Sequence, residues 1–374
     1  MCALPFTDQE YEGRLLAVKK NMSREGLDAL IVTGPENIYY LSGFRAVVAS
    51  AISPLMALVI PAKGEPRLIT RSLEMRAARE QWTRQPVLFM DHEDPFRPLA
   101  DILSAAGAAG GMIGVEEANL TVWRLNRMKQ GLPQAKFKDA SRVVKSLMAV
   151  PSAAEVEYIR KAGKLARIGF EKGLAVIRKG AFCREVIAAI NHGLYQGGQT
   201  DTIISRIWCW AGPEGGQMHS SDLTHRIEEG DLVTIELGGV HNLYRVNAQG
   251  TVYVGKRPPE LIVSTYKLVA DMYRAAAASI RPGAKAGDVY EAANKLYRPL
   301  RGEDYFRRLG GSVSLGSFDV NISKGNPEVL HPGVPILIQP LVNDPVLITC
   351  SSTILVTETG GEELTEPLTE LKTV

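Results

Sequence analysis

The chain has 374 residues, of which 45% are hydrophobic and 22% charged, and its formal net charge is +2. This length predicts two domains, and the composition is typical of a globular protein. A nearly balanced charge without a run of Lys or Arg argues against nucleic acid and membrane surfaces as partners. Because no stretch of about 18 apolar residues occurs, and because the start MCALPFTDQEYEGRL turns polar at once and lacks the apolar region of a signal peptide, we expect no transmembrane helix, no signal peptide and a cytoplasmic protein.

Residues 1–147 alternate helix-like and strand-like segments, which indicates an α/β domain. Helical spacing of apolar residues distinguishes the helices, and short apolar runs closed by Gly or Pro distinguish the strands. The predicted helices are 11–25, 73–84 and 98–106, and the predicted strands are 29–33, 56–60, 67–70 and 112–115.

A domain boundary is predicted at residues 147 and 148, because Pro151 interrupts the pattern and Ser152 with Glu155 forms a capping box that opens a helix. The predicted helices of domain 148–374 are 155–175, 183–195, 260–280 and 286–296, and its predicted strands are 202–210, 232–237, 244–254 and 334–340. Helices followed by strands occur twice, which suggests an internal duplication within an α+β fold.

The four cysteines, Cys2, Cys183, Cys209 and Cys350, are scattered along the chain without a Cys-x-x-Cys pair. This spacing argues against a zinc site and against a redox motif. We expect free thiols, as in other cytoplasmic proteins.

Several short sequence motifs follow one another along the chain in a characteristic order. Asn37-Ile-Tyr-Tyr-Leu-Ser-Gly-Phe44 lies in the first domain, and Glu229-Gly-Asp-Leu-Val-Thr-Ile-Glu-Leu-Gly-Gly239, Gly250-Thr-Val-Tyr-Val-Gly255 and His331-Pro-Gly-Val334 lie in the second. In this order they resemble the metallopeptidase family of methionine aminopeptidase, prolidase, aminopeptidase P and creatinase. The resemblance implies a creatinase-type N-terminal α/β domain, a pita-bread second domain of duplicated αβ units, and a homodimer.

That family holds two divalent metal ions with five side chains, and the matching positions here are Glu236, Asn247, Gly311, Gln339 and Ser351. One carboxylate remains where the family supplies four, and two divalent ions need anionic oxygen. We therefore expect neither a metal at these positions nor another cofactor. Two interpretations of the remaining polar residues stay open: they hydrogen-bond one another, or they line a pocket for a polar ligand.

Creatinase, a member that works without metal, hydrolyses a C–N bond with the help of a histidine, and Gln217-Met218-His219 stands at the matching place. His219 is therefore the candidate general acid and base, since imidazole exchanges protons near neutral pH. The two creatinase carboxylates fall at Gln249 and Gln339. A neutral amide, a cyclic amidine or a carboxylate-bearing compound is thus a better expected substrate than creatine.

Further candidates surround these positions. Trp208 and Trp210 are two residues apart, so they share one face of a strand and either fill the core or wall a ligand. Tyr244 and Arg245 are candidate substrate contacts, and Arg245 either clamps a substrate carboxylate or pairs with an acidic side chain. Arg45 is a second candidate anchor, since the resemblance brings its loop to an active site across a dimer.

The sequence thus predicts a metal-independent, creatinase-like hydrolase or lyase that cleaves a C–N bond in a small amide, amidine or guanidino compound, with a small-molecule substrate as its partner. Two alternatives stay open. One is a non-catalytic pita-bread binding module. The other is an Xaa-Pro dipeptidase or aminopeptidase that takes up metal.

Overall fold

A computed structural model describes residues 4–45, 54–201, 207–220, 222–315 and 317–374 of the chain. The chain divides into two compact units, Met1–Met148 and Ala149–Val374. The first five residues of the predicted strand 202–210 and Cys2 lie outside the described residues. Within the described ranges, no helix is both long and apolar enough to cross a membrane.

The first unit is built on a mixed sheet with the strand order β4-β3-β2-β1-β5-β6. Its strands are Ala29–Val32 (β1), Ala57–Pro61 (β2), Arg67–Arg71 (β3), Val87–Phe89 (β4), Met112–Val115 (β5) and Lys136–Asp139 (β6). Its helices are Asp8–Arg24 (α1), Pro35–Ser42 (α2), Met75–Glu80 (α3), Arg97–Ala105 (α4), Val122–Gly131 (α5) and Ser141–Met148 (α6). The side chains of Ile31, Val59, Ile69 and Ile113 form part of one buried core, as the apolar runs predict.

One predicted helix of this unit is wrong in extent. Residues 73–84 form a 3-10 turn, Ser72–Glu74, followed by the short helix α3. Gln81 is extended, and the Trp82 N–H donates to the Ser42 carbonyl at 2.8 Å instead of continuing the helix. This contact joins residues far apart in sequence, so apolar spacing alone gives no sign of it.

The second unit places helices beside one extensive sheet. The helices are Ala153–Leu174 (α7), Cys183–Gln196 (α8), Glu260–Ala278 (α9) and Ala286–Arg301 (α10). The strands are Ile207–Gly212 (β7), Leu232–His241 (β8), Tyr244–Tyr253 (β9), Gly310–Val313 (β10), Ser317–Ile322 (β11), Pro335–Ile338 (β12), Leu341–Val342 (β13), Ile348–Val356 (β14), Gly361–Glu363 (β15) and Lys372–Thr373 (β16). Two helices followed by strands occur twice, the order on which the predicted duplication rests.

The main path of this sheet runs β11-β10-β12-β14-β9-β8-β7. Helix α7 begins with the predicted capping box, in which the Glu155 N–H donates to Ser152 Oγ at 3.3 Å and the Ser152 N–H donates to Glu155 Oε2 at 2.8 Å. The same helix packs so closely on β8 that a Cβ at Gly239 would lie 2.1 Å from the Ala162 carbonyl oxygen. Only glycine allows this close approach. Because α7 covers one face of the sheet, the side chains of the site lie on the opposite face.

Candidate functional site

The register of four adjacent strands brings four polar or aromatic residues into one row. Trp208 of β7 is opposite Glu236 of β8, Glu236 is opposite Gln249 of β9, and Gln249 is opposite Ser351 of β14. Residues directly opposite in antiparallel strands point to the same face of the sheet. Side chains also alternate along a strand, so Asn247 shares this face with Gln249. The row lies on the face opposite α7.

Glu236 is the carboxylate at the centre of this row, and its side chain is only 9% exposed. Gln249, which is 1% exposed, donates from Nε2 to Glu236 Oε2. The same oxygen lies 3.6 Å from His219 Nε2. This distance exceeds that of a hydrogen bond but permits an ion pair when the imidazole is protonated, and catalytic contacts are often long without substrate.

The amide of Gln249 is itself held in place by a fully buried hydroxyl. Thr349 Oγ1 lies 3.1 Å from Gln249 Oε1 and 3.0 Å from the Pro340 carbonyl oxygen. The Thr349 N–H donates to Thr251 Oγ1 at 3.1 Å. With the Thr349 hydroxyl donating to Oε1, the amide presents Nε2 to Glu236, which is the arrangement that an ionised carboxylate requires.

His219 lies in a loop, residues 213–220, that we call the His219 loop. The backbone of His219 itself is left-handed, with φ of +58°. Residues other than glycine adopt this conformation rarely, and they often do so at functional sites. Leu347, which directly precedes β14, contacts this loop: its N–H donates to the Glu214 carbonyl at 2.8 Å. The imidazole lies against two indoles, with ring centroids 5.0 Å from Trp208 and 6.0 Å from Trp210.

Two polar atoms of the site face are buried without a hydrogen-bond partner among the described residues. They are Trp210 Nε1 and Ser351 Oγ, on residues 2% and 1% exposed. The hypothesis that the polar residues at the five positions bond one another therefore fails for Ser351. Buried polar groups in native proteins are nearly always paired, so a water or ligand atom is the expected partner.

Two predicted substrate contacts need correction. Tyr244 is fully buried on the other face of β9, where its hydroxyl donates to Glu155 Oε1 of α7 at 2.7 Å. Strand alternation explains this, since Tyr244 is an odd number of residues from Asn247. Gln249 has both ends of its amide engaged with Glu236 and Thr349, so it orients the carboxylate and does not face open space.

The remaining candidates have different positions. Arg245 is half-buried and shares the site face with Asn247 by alternation. Gln339 is half-buried directly after β12, and its N–H donates to the Leu309 carbonyl at 2.7 Å. Arg45 belongs to the first unit, where it is exposed beyond the end of α2. Its role as a carboxylate anchor stays a prediction.

The donor set at the five positions does not fit two divalent ions. Asn247, Gln339 and Ser351 offer only neutral oxygens, and Gly311, buried in β10, offers no side chain. Glu236 is the one carboxylate, and Gln249 already occupies one of its oxygens. The described part of the chain contains no group of three or more His, Cys, Asp or Glu side chains that could hold a metal ion. Hard cations require more anionic oxygen than this.

Thr349 and Thr251 are site residues that the sequence patterns did not predict. A signal was present in the sequence, because Thr349 lies two residues before Ser351 and therefore on the same face of one strand. Leu341 and Leu347, which pack around Trp210, were not predicted either. These apolar residues close one side of the site.

Comparisons with known proteins agree with this architecture. Residues 14–150 match the model of the Creatinase/Prolidase N-terminal domain, and residues 157–358 match that of Metallopeptidase family M24. The chain belongs to metallopeptidase family M24. The predicted α+β fold, with a creatinase-type first domain and a pita-bread second domain, is confirmed for this M24 member.

Relatives within the M24 family include peptidases. The chain is 28% identical over 367 residues to the Xaa-Pro dipeptidase of Pyrococcus furiosus, covering 96% of this chain and 99% of that protein. The solved structure of the prolidase from Pyrococcus furiosus matches with a TM-score of 0.78 and 26% identity, over 93% of this chain and 99% of that chain. The prolidase from Thermococcus sibiricus, at 21% identity, matches with a TM-score of 0.89 over 97% and 99% of the two chains, a likeness of fold.

Proposed function

We propose that this M24 member is a hydrolase that cleaves the C–N bond of a small amide without a bound metal, with His219 transferring the proton. The observation that carries the proposal is the pairing of His219 Nε2 with Glu236 Oε2 at 3.6 Å, on a sheet face where the other family ligands have been replaced by neutral groups. A histidine beside a buried carboxylate is a common acid–base arrangement.

The chemistry follows from the positions of these groups. Water adds to the amide carbon, His219 accepts a proton from that water, and the imidazolium then delivers it to the leaving nitrogen. The carbon–nitrogen bond breaks to give a carboxylic acid and an amine. Glu236 stabilises the imidazolium through its negative charge, which acts strongly because the carboxylate is shielded from water. The amide N–H groups of Asn247 and Gln339 are the candidate donors to the substrate oxygen.

The walls of the site favour a compact substrate. Trp208 and Trp210 confine it on one side, and both rings already contact His219, so their packing also fixes the imidazole. Arg245, on the same face as Asn247, is the candidate anchor for a substrate carboxylate. A small amide that carries a carboxylate satisfies each of these groups.

A second candidate is an Xaa-Pro dipeptidase, favoured by the P. furiosus relative of that name. It shares the amide substrate class with our proposal and differs in requiring metal, which the donor set of Glu236 with three neutral side chains does not favour. The two candidates are therefore separated by metal dependence and not by substrate alone.

The decisive experiment measures hydrolysis of a panel of amino-acid amides, cyclic amidines, guanidino acids and Xaa-Pro dipeptides by the full chain. Each compound is tested after chelation and again with added manganese or cobalt. His219→Gln is compared with His192→Gln, since His192 is an exposed histidine on α8 and serves as the matched control.

We expect turnover that survives chelation, that falls about 10²–10⁴-fold in His219→Gln, and that is unchanged in His192→Gln. Activity that appears only with added metal would establish the dipeptidase instead. A compound that raises the melting temperature of the protein yet is recovered intact after prolonged incubation would identify a binding module.

A further inference from the structure

A small apolar surface borders His219 on the β7 side of the site. Its buried part comprises three side chains, Trp210, Leu341 and Leu347. Trp208 and Met218 pack against this cluster and are only half-buried, and the side chain of His219 is 55% exposed. A ligand that reaches the imidazole can therefore also contact Trp208 and Met218, which we call the apolar wall.

The site becomes polar with distance from β7. Glu236 lies on β8 opposite Trp208, and Asn247 lies on β9, one strand further across the sheet. Neighbouring strands are about 4.8 Å apart, so Trp208 and Asn247 are separated by roughly 10 Å across the strands. Asn247 is half-buried, and its side chain is a neutral amide. The site face therefore changes from apolar to polar over the length of one small molecule.

The position of the proton donor decides which part of a substrate faces the apolar wall. The leaving nitrogen must lie within hydrogen-bond reach of His219, because it receives its proton from the imidazole. The imidazole itself lies against Trp208, with ring centroids 5.0 Å apart. The substituent on the leaving nitrogen is therefore placed against the apolar wall, whereas the acyl part extends toward Asn247 and Arg245, which share the site face.

We propose that the site hydrolyses amides formed by a carboxylate-bearing acid and an apolar amine, and that Met218 is a residue that determines this specificity. The inference rests on the proposed function, because it assigns proton delivery to His219. Water supplies a hydroxyl group to the acyl carbon and a hydrogen to the nitrogen as the C–N bond breaks. The products are a dicarboxylic acid and the free apolar amine.

The apolar wall selects for alkyl groups because it removes them from water. Burial of one methylene group favours binding about fourfold at room temperature. A hydroxyl-bearing substituent of the same size would instead lose its hydration against Met218. Met218 is the adaptable part of the wall, since an unbranched thioether side chain fits groups of different shape, whereas Trp208 is held by its contact with His219. Met218 therefore sets which substituents the site accepts.

The first test measures binding, which needs no catalysis. Calorimetry determines the Kd of the N-methyl, N-ethyl and N-propyl derivatives of succinamic acid, with the N-(2-hydroxyethyl) derivative as the polar counterpart of N-propyl. The full chain carrying His219→Gln is used, so that bound compounds stay intact. We expect the Kd to fall about fourfold with each added methylene and to rise again for the hydroxyethyl compound.

Variants at Met218, made in the same chain, assign this gain to the apolar wall. Met218→Gln keeps the length of the side chain but makes its end polar, and it should reduce the gain to less than about twofold per methylene. Met218→Leu, which stays apolar, should keep it, as should the control Met90→Gln at a methionine that is 51% exposed in the first unit. Affinity that does not depend on the alkyl group, or equal gains with Met218 and with Met218→Gln, would overturn the inference.

The second test compares two isomeric amides as substrates of the wild-type chain. N-Propylsuccinamic acid carries its alkyl group on the nitrogen, whereas N-butanoyl-β-alanine carries it on the acyl carbon and its carboxylate on the nitrogen side. We expect kcat/KM to be at least about tenfold higher for the first isomer. Equal or reversed values would overturn the assigned orientation and leave the proposed function standing. Hydrolysis of neither isomer, together with the alkyl-dependent gain in binding, would refute the proposed function and support the contact with Met218.

Discussion

Thr349→Val tests whether the hydrogen bonds from Thr349 to Gln249 and from Gln249 to Glu236 orient the Glu236 carboxylate. Valine has nearly the shape of threonine, so the change removes the hydroxyl without opening a cavity. In the wild type this hydroxyl lies 3.1 Å from Gln249 Oε1 and 3.0 Å from the Pro340 carbonyl oxygen, and Thr349 is fully buried. After the change, Gln249 Oε1 has lost its donor and is buried without a partner.

The expected loss of stability follows from that unpaired oxygen. Removing one partner of a buried hydrogen bond costs about 1–3 kcal/mol, because the other partner keeps its desolvation cost. For a domain of 150–250 residues, each kcal/mol lowers the melting temperature by roughly 2–4 °C, so the expected shift is roughly 2–12 °C. Turnover should fall as well, since the amide that holds Glu236 is free to rotate.

Urea unfolding and differential scanning calorimetry measure the stability change. The matched control is Thr70→Val, because Thr70 is fully buried and its hydroxyl has no hydrogen-bond partner among the described residues. That control should be neutral or more stable, since valine removes an unpaired polar group. Thr349→Ser, which keeps the hydroxyl, should retain turnover. Equal stability of the Thr349→Val and Thr70→Val proteins would refute the reasoning.

Three further predictions concern residues outside the proposed site. Gly239→Ala should destabilise the protein by more than about 2 kcal/mol in urea unfolding, because its Cβ would clash with backbone of α7, whereas Gly360→Ala, with open space around it, should be nearly neutral. Tyr244→Phe should cost about 1.5–3 kcal/mol through its lost bond to Glu155 and leave ligand binding unchanged, as measured by calorimetry. Burial raises the pKa of Glu116 above 4.5, so its contribution to stability is present below that pH and is lost as the pH rises through the folded value. The advantage of wild type over Glu116→Gln in urea unfolding should therefore shrink from acid toward neutral pH.

Local patterns predicted most elements of the second unit. The apolar runs that became β8 and β9 and the capping box at Ser152 depend on neighbours in sequence, and the structure contains each of them. The change of residue type at the five family positions was visible for the same reason. These are the features for which short-range sequence carries the physical cause.

The hydrogen bonds that hold Gln249 against Glu236 could not be predicted from such local patterns. The Thr349–Gln249 contact joins residues 100 positions apart, and it depends on the register of β14 against β9. Register is fixed by the whole pairing of two strands and is not encoded at either residue. The error at Tyr244 differs in kind, because the alternation that places it on the far face of β9 was already present in the sequence.

Substitution of Glu236 best distinguishes a functional role of these polar residues from a purely structural one. A carboxylate whose side chain is 9% exposed is costly to bury, and Gln249 donates to it while His219 lies at 3.6 Å. If the site served stability alone, an amide would fill the same space without this cost. Glu236→Gln should therefore be neutral or more stable in urea unfolding and should lose turnover, the pattern expected of a functional residue that is held at the expense of stability. A Glu236→Gln protein that is less stable by more than about 2 kcal/mol would instead make the carboxylate a structural element.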